Sequence, residues 1–268
     1  MLLGLAARLG EQHVDHLEHR RLDRQEPEPL EAAADRIEHA LERDLLSGQE
    51  LEHSLRRARL DGHGERLYRD GVAFACAHQP FELPVALAAE LTAAYAEPQR
   101  AYHDASHIAE VLGWFDRVAD EIGWHDPATI YAAIVFHDAI YVPGASDNEV
   151  RSAAWLRASA LPCDLARGAE LVELTKRHGE PIETDHDAGL FLDSDMAIIG
   201  AEPAAFDRYN AAIAREYAAI PADLFRAGRA TFLATVLALP RIFITDYFHA
   251  RLDAQARANL TRAAAELR

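Results

Sequence analysis

The stretch PATIYAAIVFHDAIY, residues 127–141, decides how the rest of the chain is interpreted. It begins with Pro127, a residue favoured in the first turn of a helix, and continues through apolar residues that predict a buried helix. His137 and Asp138 interrupt these apolar residues near the end. An imidazole and a carboxylate in such surroundings need compensation, and one bound cation compensates both. The alternative is a histidine that the helix dipole favours at a C-terminal end, with Asp138 capping the next turn.

Candidate helices follow one another from Val72 onward. Proline lies near the starts of several of them and glycine just past two ends, as is typical of helices. No convincing run alternates apolar and polar residues with the period of two that a strand requires. We therefore predict an all-α protein, a helical bundle with helices over residues 84–95, 104–122, 127–141, 148–160, 164–178, 186–199, 203–218, 221–237 and 252–267.

The chain divides by composition near residue 70. Residues 1–67 hold no aromatic side chain, and residues 28–46 and 49–69 have the pattern of amphipathic helices. Such a segment buries little area, so either a helical hairpin or a loosely ordered segment is compatible with it. We predict an N-terminal helical or partly disordered extension over residues 1–75, of unknown role, and a metal-binding helical domain over residues 76–268.

Charge and cysteine content narrow the function classes. The 268 residues carry a formal net charge of −17, which argues against stable binding to nucleic acid or to an anionic membrane. The two cysteines have no metal-type or redox spacing, which suits a reducing compartment. No apolar run approaches the length of a membrane span, and residues 1–9 are too short for a signal peptide. We expect a cytoplasmic protein, and the sequence leaves open whether it forms a homo-oligomer.

Two further segments carry candidate metal ligands. His103 and His107 are four residues apart, which places both on one face of a predicted helix, although such a pair is weak support by itself. Asp193 and Asp195 interrupt an apolar helix. The residues three and four positions from Asp195 are all large and apolar, so we predict that Asp195 is buried and is the better ligand candidate.

Together, His107, the His137-Asp138 pair and Asp195 resemble the His…His-Asp…Asp metal signature of the HD superfamily, whose domain is all-helical. The resemblance runs from about residue 80 to the end of the chain. It is closest to a group of bacterial proteins described as predicted metal-dependent HD phosphohydrolases. The matching segments are RAYH (100–103), FHDAIY (136–141), NEVRSA (148–153), TKRH (175–178), FLDSD (191–195), YNAAIAREY (209–217) and GR (228–229).

The resemblance implies a phosphohydrolase that cleaves a phosphomonoester or phosphodiester of a small molecule, a nucleotide being one candidate. Its cofactor would be a divalent metal ion, with Mn, Mg, Co, Ni, Zn and Fe all open. The implied metal ligands are His107, His137, Asp138 and Asp195.

Roles for other residues follow from the same resemblance. Glu149 is the candidate general acid or base, and Asp138 is assigned to catalysis as well as to the metal. For Glu149 the alternative is an acidic residue favoured by the dipole at a helix start. His178 is open between a second-metal ligand, a substrate contact and a core histidine. His103 is open between positioning another group of the site and contacting phosphate. The residues assigned to substrate binding are Arg100, His103, His178, Arg215 and Arg229.

Two alternative functions keep the same fold. A dinuclear iron oxygenase of the HD fold would need an additional metal ligand, from His103 or His178. A catalytically silent, metal-binding regulatory module has no need of buried charges that destabilise the fold without metal, which argues against it.

Overall fold

The computed structural model describes residues 74–267, so all but the last two residues of the predicted N-terminal extension lie outside it. Within the described residues there are nine α-helices and no strand, which confirms the predicted all-α class. Short 3₁₀ segments, Thr175–Arg177 and Ala197–Gly200, extend the fifth and sixth helices. The helices are α1 (Val85–Tyr95), α2 (Ala105–Glu121), α3 (Pro127–Phe136), α4 (Asn148–Ala158), α5 (Leu165–Leu174), α6 (His186–Met196), α7 (Pro203–Glu216), α8 (Ala222–Ala238) and α9 (Asp246–Glu266).

Side-chain caps fix the starts of five helices. An aspartate precedes each of α2, α3, α5 and α6, and its carboxylate accepts a hydrogen bond from a backbone N–H in the first turn. Thr245 does the same for α9. These caps satisfy backbone donors that have no partner within the helix.

The end of α3 differs from the prediction. The helix was expected to reach residue 141 but ends at Phe136, so His137 and Asp138 lie in the following turn. The backbone N–H groups of Ile140 and Val142 donate instead to the side chains of Ser152 and Asn148 on α4, which replace the bonds of a longer helix.

The start of α2 also differs. Asp104 caps this helix, so His103 lies before it and does not share a helical face with His107, as the spacing had predicted. The last helix, α9, begins at Asp246, six residues earlier than expected.

The apolar core consists of two clusters. One joins residues of α1 to α5 with part of α6, and the other joins α7, α8 and α9 with parts of α2 and α6. Every residue of α3 from Thr129 to Phe136 is buried, so this helix is surrounded by others on all sides. The two helices that contribute to both clusters, α2 and α6, carry His107 and Asp195.

Over residues 74–267, no helix has both the length and the apolar character needed to cross a bilayer.

Two glycines provide a matched test of the packing. A Cβ at Gly200 would lie 2.6 Å from the Cβ of Leu252 on α9, whereas a Cβ at Gly113 in α2 would meet no atom within 4 Å. We expect Gly200→Ala to lower the free energy of unfolding by about 1–3 kcal/mol because of overpacking. Gly113→Ala should raise it by up to about 1 kcal/mol, since alanine is the better helix former. Urea denaturation measures both, and equal effects would contradict this packing of α9.

Candidate metal centre

Four side chains from three parts of the fold converge on one point. His107 comes from α2, His137 and Asp138 from the turn after α3, and Asp195 from α6. The two Nε2 atoms of the histidines are 3.0 Å apart. Asp138 Oδ2 lies 3.6 Å from the Nε2 of His107 and 3.1 Å from that of His137. Asp195 Oδ1 lies 3.1 and 3.4 Å from the same two nitrogens.

These separations suit a shared metal ion. Atoms bound at about 2.0–2.2 Å to one ion lie about 3.0 Å apart at right angles and about 3.4 Å apart in a tetrahedron. His107, His137 and Asp138 offer ligand atoms that all lie within 4.8 Å of one another. These three residues could hold a metal ion, and the carboxylate of Asp195 lies against both imidazoles.

The tautomer of His137 also suits a metal. Its Nδ1 lies 2.8 Å from the carbonyl oxygen of Ile134, which can only accept a hydrogen bond. Nδ1 therefore carries the proton, and the Nε2 of the neutral ring presents a lone pair to the cluster. Burial lowers the pKa of His137, but the charges of Asp138 and Asp195 outweigh burial and hold the pKa well above its usual value.

The pKa values of the two carboxylates shift in the opposite direction. Burial raises the pKa of Asp138 and of Asp195, but nearby histidines, His137 above all, outweigh burial and hold both values well below the usual range. Both carboxylates are therefore ionised at neutral pH. A cation bound among them would balance the negative charge of the two carboxylates, which protons on the histidines otherwise balance.

His178 supports the cluster from one side. Its Nε2 lies 2.7 Å from Asp195 Oδ2, while Asp195 Oδ1 faces the two imidazoles. The side chain of His178 is 5 % exposed, and it lines the cavity described below. His178 therefore contacts a candidate metal ligand, Asp195. Its position is intermediate between those of a metal ligand and a core histidine, two of the alternatives that the sequence left open.

The two aspartates of α6 have separate tasks. Asp193 accepts hydrogen bonds from the backbone N–H groups of Ile244 and Thr245 and from the hydroxyl of Thr245. It therefore anchors the segment that leads into α9. Burial raises the pKa of Asp193 to about 6, against the lowering effect of these donors. Asp195, two residues further along, is the one that faces the imidazoles.

Arg100 occupies a different place from the one expected of a substrate contact. Its side chain is completely buried, and its guanidinium donates to the carbonyl oxygens of His103, Asp138 and Ala139 at 2.7–2.9 Å. It also pairs with Glu97 at 3.2 Å. These partners use the guanidinium within the fold, so Arg100 holds the His-Asp turn instead of facing the cavity.

Sequence reasoning missed Glu216. Its carboxylate, at the end of α7, accepts hydrogen bonds from the backbone N–H groups of residues 101, 102 and 103 at 2.8–2.9 Å. It also contacts His103 Nδ1 at 2.7 Å and the Tyr141 hydroxyl at 2.8 Å. A buried carboxylate in the last turn of a helix opposes the helix dipole, and this conflict was the available signal. Its partners, 75 to 115 residues away, could not be inferred from spacing.

A cavity opens over the cluster and brings together most of the predicted site residues. Its volume is about 40 Å³. Arg215 is exposed and is not among the residues around it. The lining residues include Tyr102, His103, Asp138, Tyr141, Glu149, His178, Asp195, Tyr209, Tyr217 and Arg229.

Two buried charges on the cavity wall lack a partner of opposite charge within residues 74–267. Glu149, in the first turn of α4, is 5 % exposed, and its Oε2 has no hydrogen-bond partner there. Arg229, on α8, is 2 % exposed. Its guanidinium donates only to the neutral oxygens of Asn210 and Tyr209, at 2.9–3.3 Å. Buried charges of this kind are usually compensated, and here the cavity lies next to both.

Comparisons of the chain with protein-family models, with curated proteins and with solved structures gave no match.

The two aspartates of α6 give a matched pair of variants. Asp195→Asn should weaken Mn²⁺ binding by at least about 100-fold, because it removes a charged oxygen next to both imidazoles. Asp193→Asn should leave Mn²⁺ affinity nearly unchanged. It should lower the free energy of unfolding by about 1–3 kcal/mol, because an amide cannot accept all three hydrogen bonds.

Isothermal titration calorimetry measures the affinity of each variant, and urea denaturation measures its stability. If Asp193→Asn were the variant that lost Mn²⁺ affinity, the assignment of Asp195 to the cluster would be wrong.

Proposed function

We propose that this protein is a metal-dependent phosphohydrolase that cleaves a phosphomonoester or phosphodiester of a small molecule. One observation carries the proposal. A set of imidazole and carboxylate atoms suited to a divalent ion shares a cavity with a buried guanidinium that has no carboxylate partner in the described chain. A phosphate group is the ligand that both features would bind.

The metal would be held by His107, His137, Asp138 and Asp195. The fit rests on the distances of 3.0–3.6 Å from the two histidine Nε2 atoms to each other and to the carboxylate oxygens. It also rests on the lone pair that the hydrogen bond to Ile134 leaves on Nε2 of His137. A divalent ion there would supply Lewis acidity toward water and toward a phosphoryl oxygen. His178 would orient Asp195, as hydrogen-bonded partners of ligands generally do.

Arg229 would bind the phosphate group. Asn210 fixes the guanidinium through Nε and Nη2, and the rings of Tyr209 and Phe232 each lie 5.2 Å from it. A guanidinium held in this way is already oriented, so little entropy is lost when it binds an anion. The charge of the phosphate would then compensate a buried cation.

Glu149 would serve as the general acid or base. Its Oε2 has no partner within the described residues, and the residue lines the same cavity as Asp138 and His178. Cleavage of a phosphate ester requires a proton on the leaving oxygen, and a carboxyl group at the cavity wall can deliver it.

The oxygenase alternative requires more metal ligands than the cluster contains. Of the two candidates for that role, His178 already binds Asp195 through Nε2, and His103 lies outside the group of ligand atoms that could share one ion. A catalytically silent module would not explain why Arg229 and Glu149 are buried at the cavity wall without partners of opposite charge in the described chain. The geometry therefore supports the phosphohydrolase better than either alternative.

Metal analysis and a phosphatase screen test the proposal. Protein purified without chelator should contain one bound divalent ion per chain. It should hydrolyse p-nitrophenyl phosphate or bis(p-nitrophenyl) phosphate, and both activity and metal should disappear with EDTA or in His137→Ala. His125→Ala, at an exposed histidine, is the control. Two iron atoms per chain, without hydrolysis of either ester, would favour the oxygenase instead.

Two arginines of α8 separate phosphate binding from general charge. Arg229→Met should lower kcat/KM for the hydrolysed ester by about 10–100-fold, the loss typical of a charged hydrogen bond. Arg226→Met removes an exposed arginine one turn earlier on the same helix and should have no such effect. Steady-state kinetics on folded, metal-loaded protein measures both. Equal effects would show that Arg229 acts only through net charge.

A further inference from the structure

Glu216 makes more hydrogen bonds than an anchor for the backbone requires. Its Oε1 accepts all three backbone N–H bonds, from residues 101–103. Its Oε2 is left for two side chains, the Nδ1 of His103 at 2.7 Å and the hydroxyl of Tyr141 at 2.8 Å. The side chain is completely buried. One oxygen therefore holds the backbone, and the other is aimed at a ring that lines the cavity.

The ionisation state of the Glu216 carboxylate determines which ring nitrogen of His103 carries a proton. Burial raises the pKa of Glu216, but the hydrogen bond from His103 and those from the backbone N–H groups outweigh burial and lower the pKa to about 2. An ionised carboxylate can only accept hydrogen bonds, so the Nδ1 of His103 must carry a proton.

The ring of His103 is held in place on its other sides as well. It stacks on the ring of Tyr141 with a centroid distance of 4.3 Å and an interplanar angle of 29°. Arg100 fixes its backbone by donating to its carbonyl oxygen at 2.7 Å. The Nε2 atom, on the far side of the ring from Nδ1, has no hydrogen-bond partner among residues 74–267, and the side chain is 17 % exposed.

We propose that Glu216 is a positioning residue, which fixes His103 as the Nδ1–H tautomer so that the Nε2 lone pair faces the cavity. The inference rests on the proposed function only in that the cavity is taken to bind the substrate. His103 then accepts a hydrogen bond from the attacking water or from a hydroxyl group of the ligand. This gives His103 a defined role, where the sequence left a choice between positioning and phosphate contact. An Nε2 lone pair repels a bare phosphate oxygen, so direct phosphate contact by neutral His103 is disfavoured.

Glu216→Gln separates this role from that of a backbone anchor. The amide oxygen can keep the three backbone hydrogen bonds, whereas the amide N–H₂ now faces His103 and Tyr141. The Nδ1 of His103 must then accept a hydrogen bond, which moves its proton to Nε2. The variant therefore inverts the tautomer and retains the contacts that hold the fold.

The ¹⁵N NMR spectrum of Zn²⁺-loaded protein with labelled histidine tests the proposal directly. His103, assigned by its loss in His103→Ala, should be protonated on Nδ1 in the wild type and on Nε2 in Glu216→Gln. Glu202→Gln, an exposed glutamate just before α7, should leave the wild-type pattern unchanged. A wild-type His103 protonated on Nε2, or on both nitrogens, would overturn the proposal, even if Glu216→Gln failed to fold.

Kinetics on p-nitrophenyl phosphate provides the second readout. Glu216→Gln should lower kcat by about 10–100-fold at unchanged metal content, and adding it to His103→Ala should cause little further loss. A full additional loss in the double variant would overturn the proposal, because Glu216 would then act independently of His103. If no phosphate ester is hydrolysed but the tautomer inverts, the proposed function fails and the positioning role stands.

Discussion

Two imidazoles, with their Nε2 atoms 3.0 Å apart, each lie 3.1–3.6 Å from two carboxylates in the interior, and the rest of the structure depends on holding them there. Ionised groups in such a place cost several kcal/mol each unless they are paired and hydrogen-bonded. Hydrogen bonds within the protein offset part of this cost. Ile134 accepts the Nδ1 proton of His137, and His178 binds the outer oxygen of Asp195. The remaining charge is the part that a bound cation would stabilise.

The backbone around the cluster is fixed by charged groups that do not face it. The guanidinium of Arg100 binds the carbonyl oxygens of Asp138 and Ala139 in the turn after α3. The same guanidinium binds the carbonyl of His103, next to the N–H groups that Glu216 accepts. One cation and one anion therefore connect the segment before α2, the turn after α3 and the end of α7. These are the elements that place His103 and Asp138 beside the cavity.

The sequence predicted what local pattern controls. The uninterrupted apolar character of α3 predicted a buried helix, which the structure has. The apolar neighbours of Asp195 predicted that it is the buried aspartate of α6, but Asp193 is the more buried of the two, and Asp195 is the one that faces the imidazoles. Asp193 lies two residues away, about 200° around the helix, and so contacts the segment before α9 instead. The partners of Arg100 and Glu216 depend on contacts between residues 38 to 115 positions apart. A single sequence carries no spacing rule for contacts of that length, so both residues were assigned incompletely or missed.

The charges around the cavity also constrain the order of events in the proposed reaction. Its lining contains three carboxylates, those of Asp138, Glu149 and Asp195, against one guanidinium, that of Arg229. The chain as a whole adds a negative field, with a net charge of −17. A phosphate ester approaching the cavity without a metal would therefore be repelled by more charges than attract it. A divalent ion in the cluster cancels this excess of two negative charges where the phosphate has to bind, so the proposed function requires the metal to bind first. The same balance explains how a strongly acidic protein can act on an anionic substrate, because the attraction is local and depends on the cation.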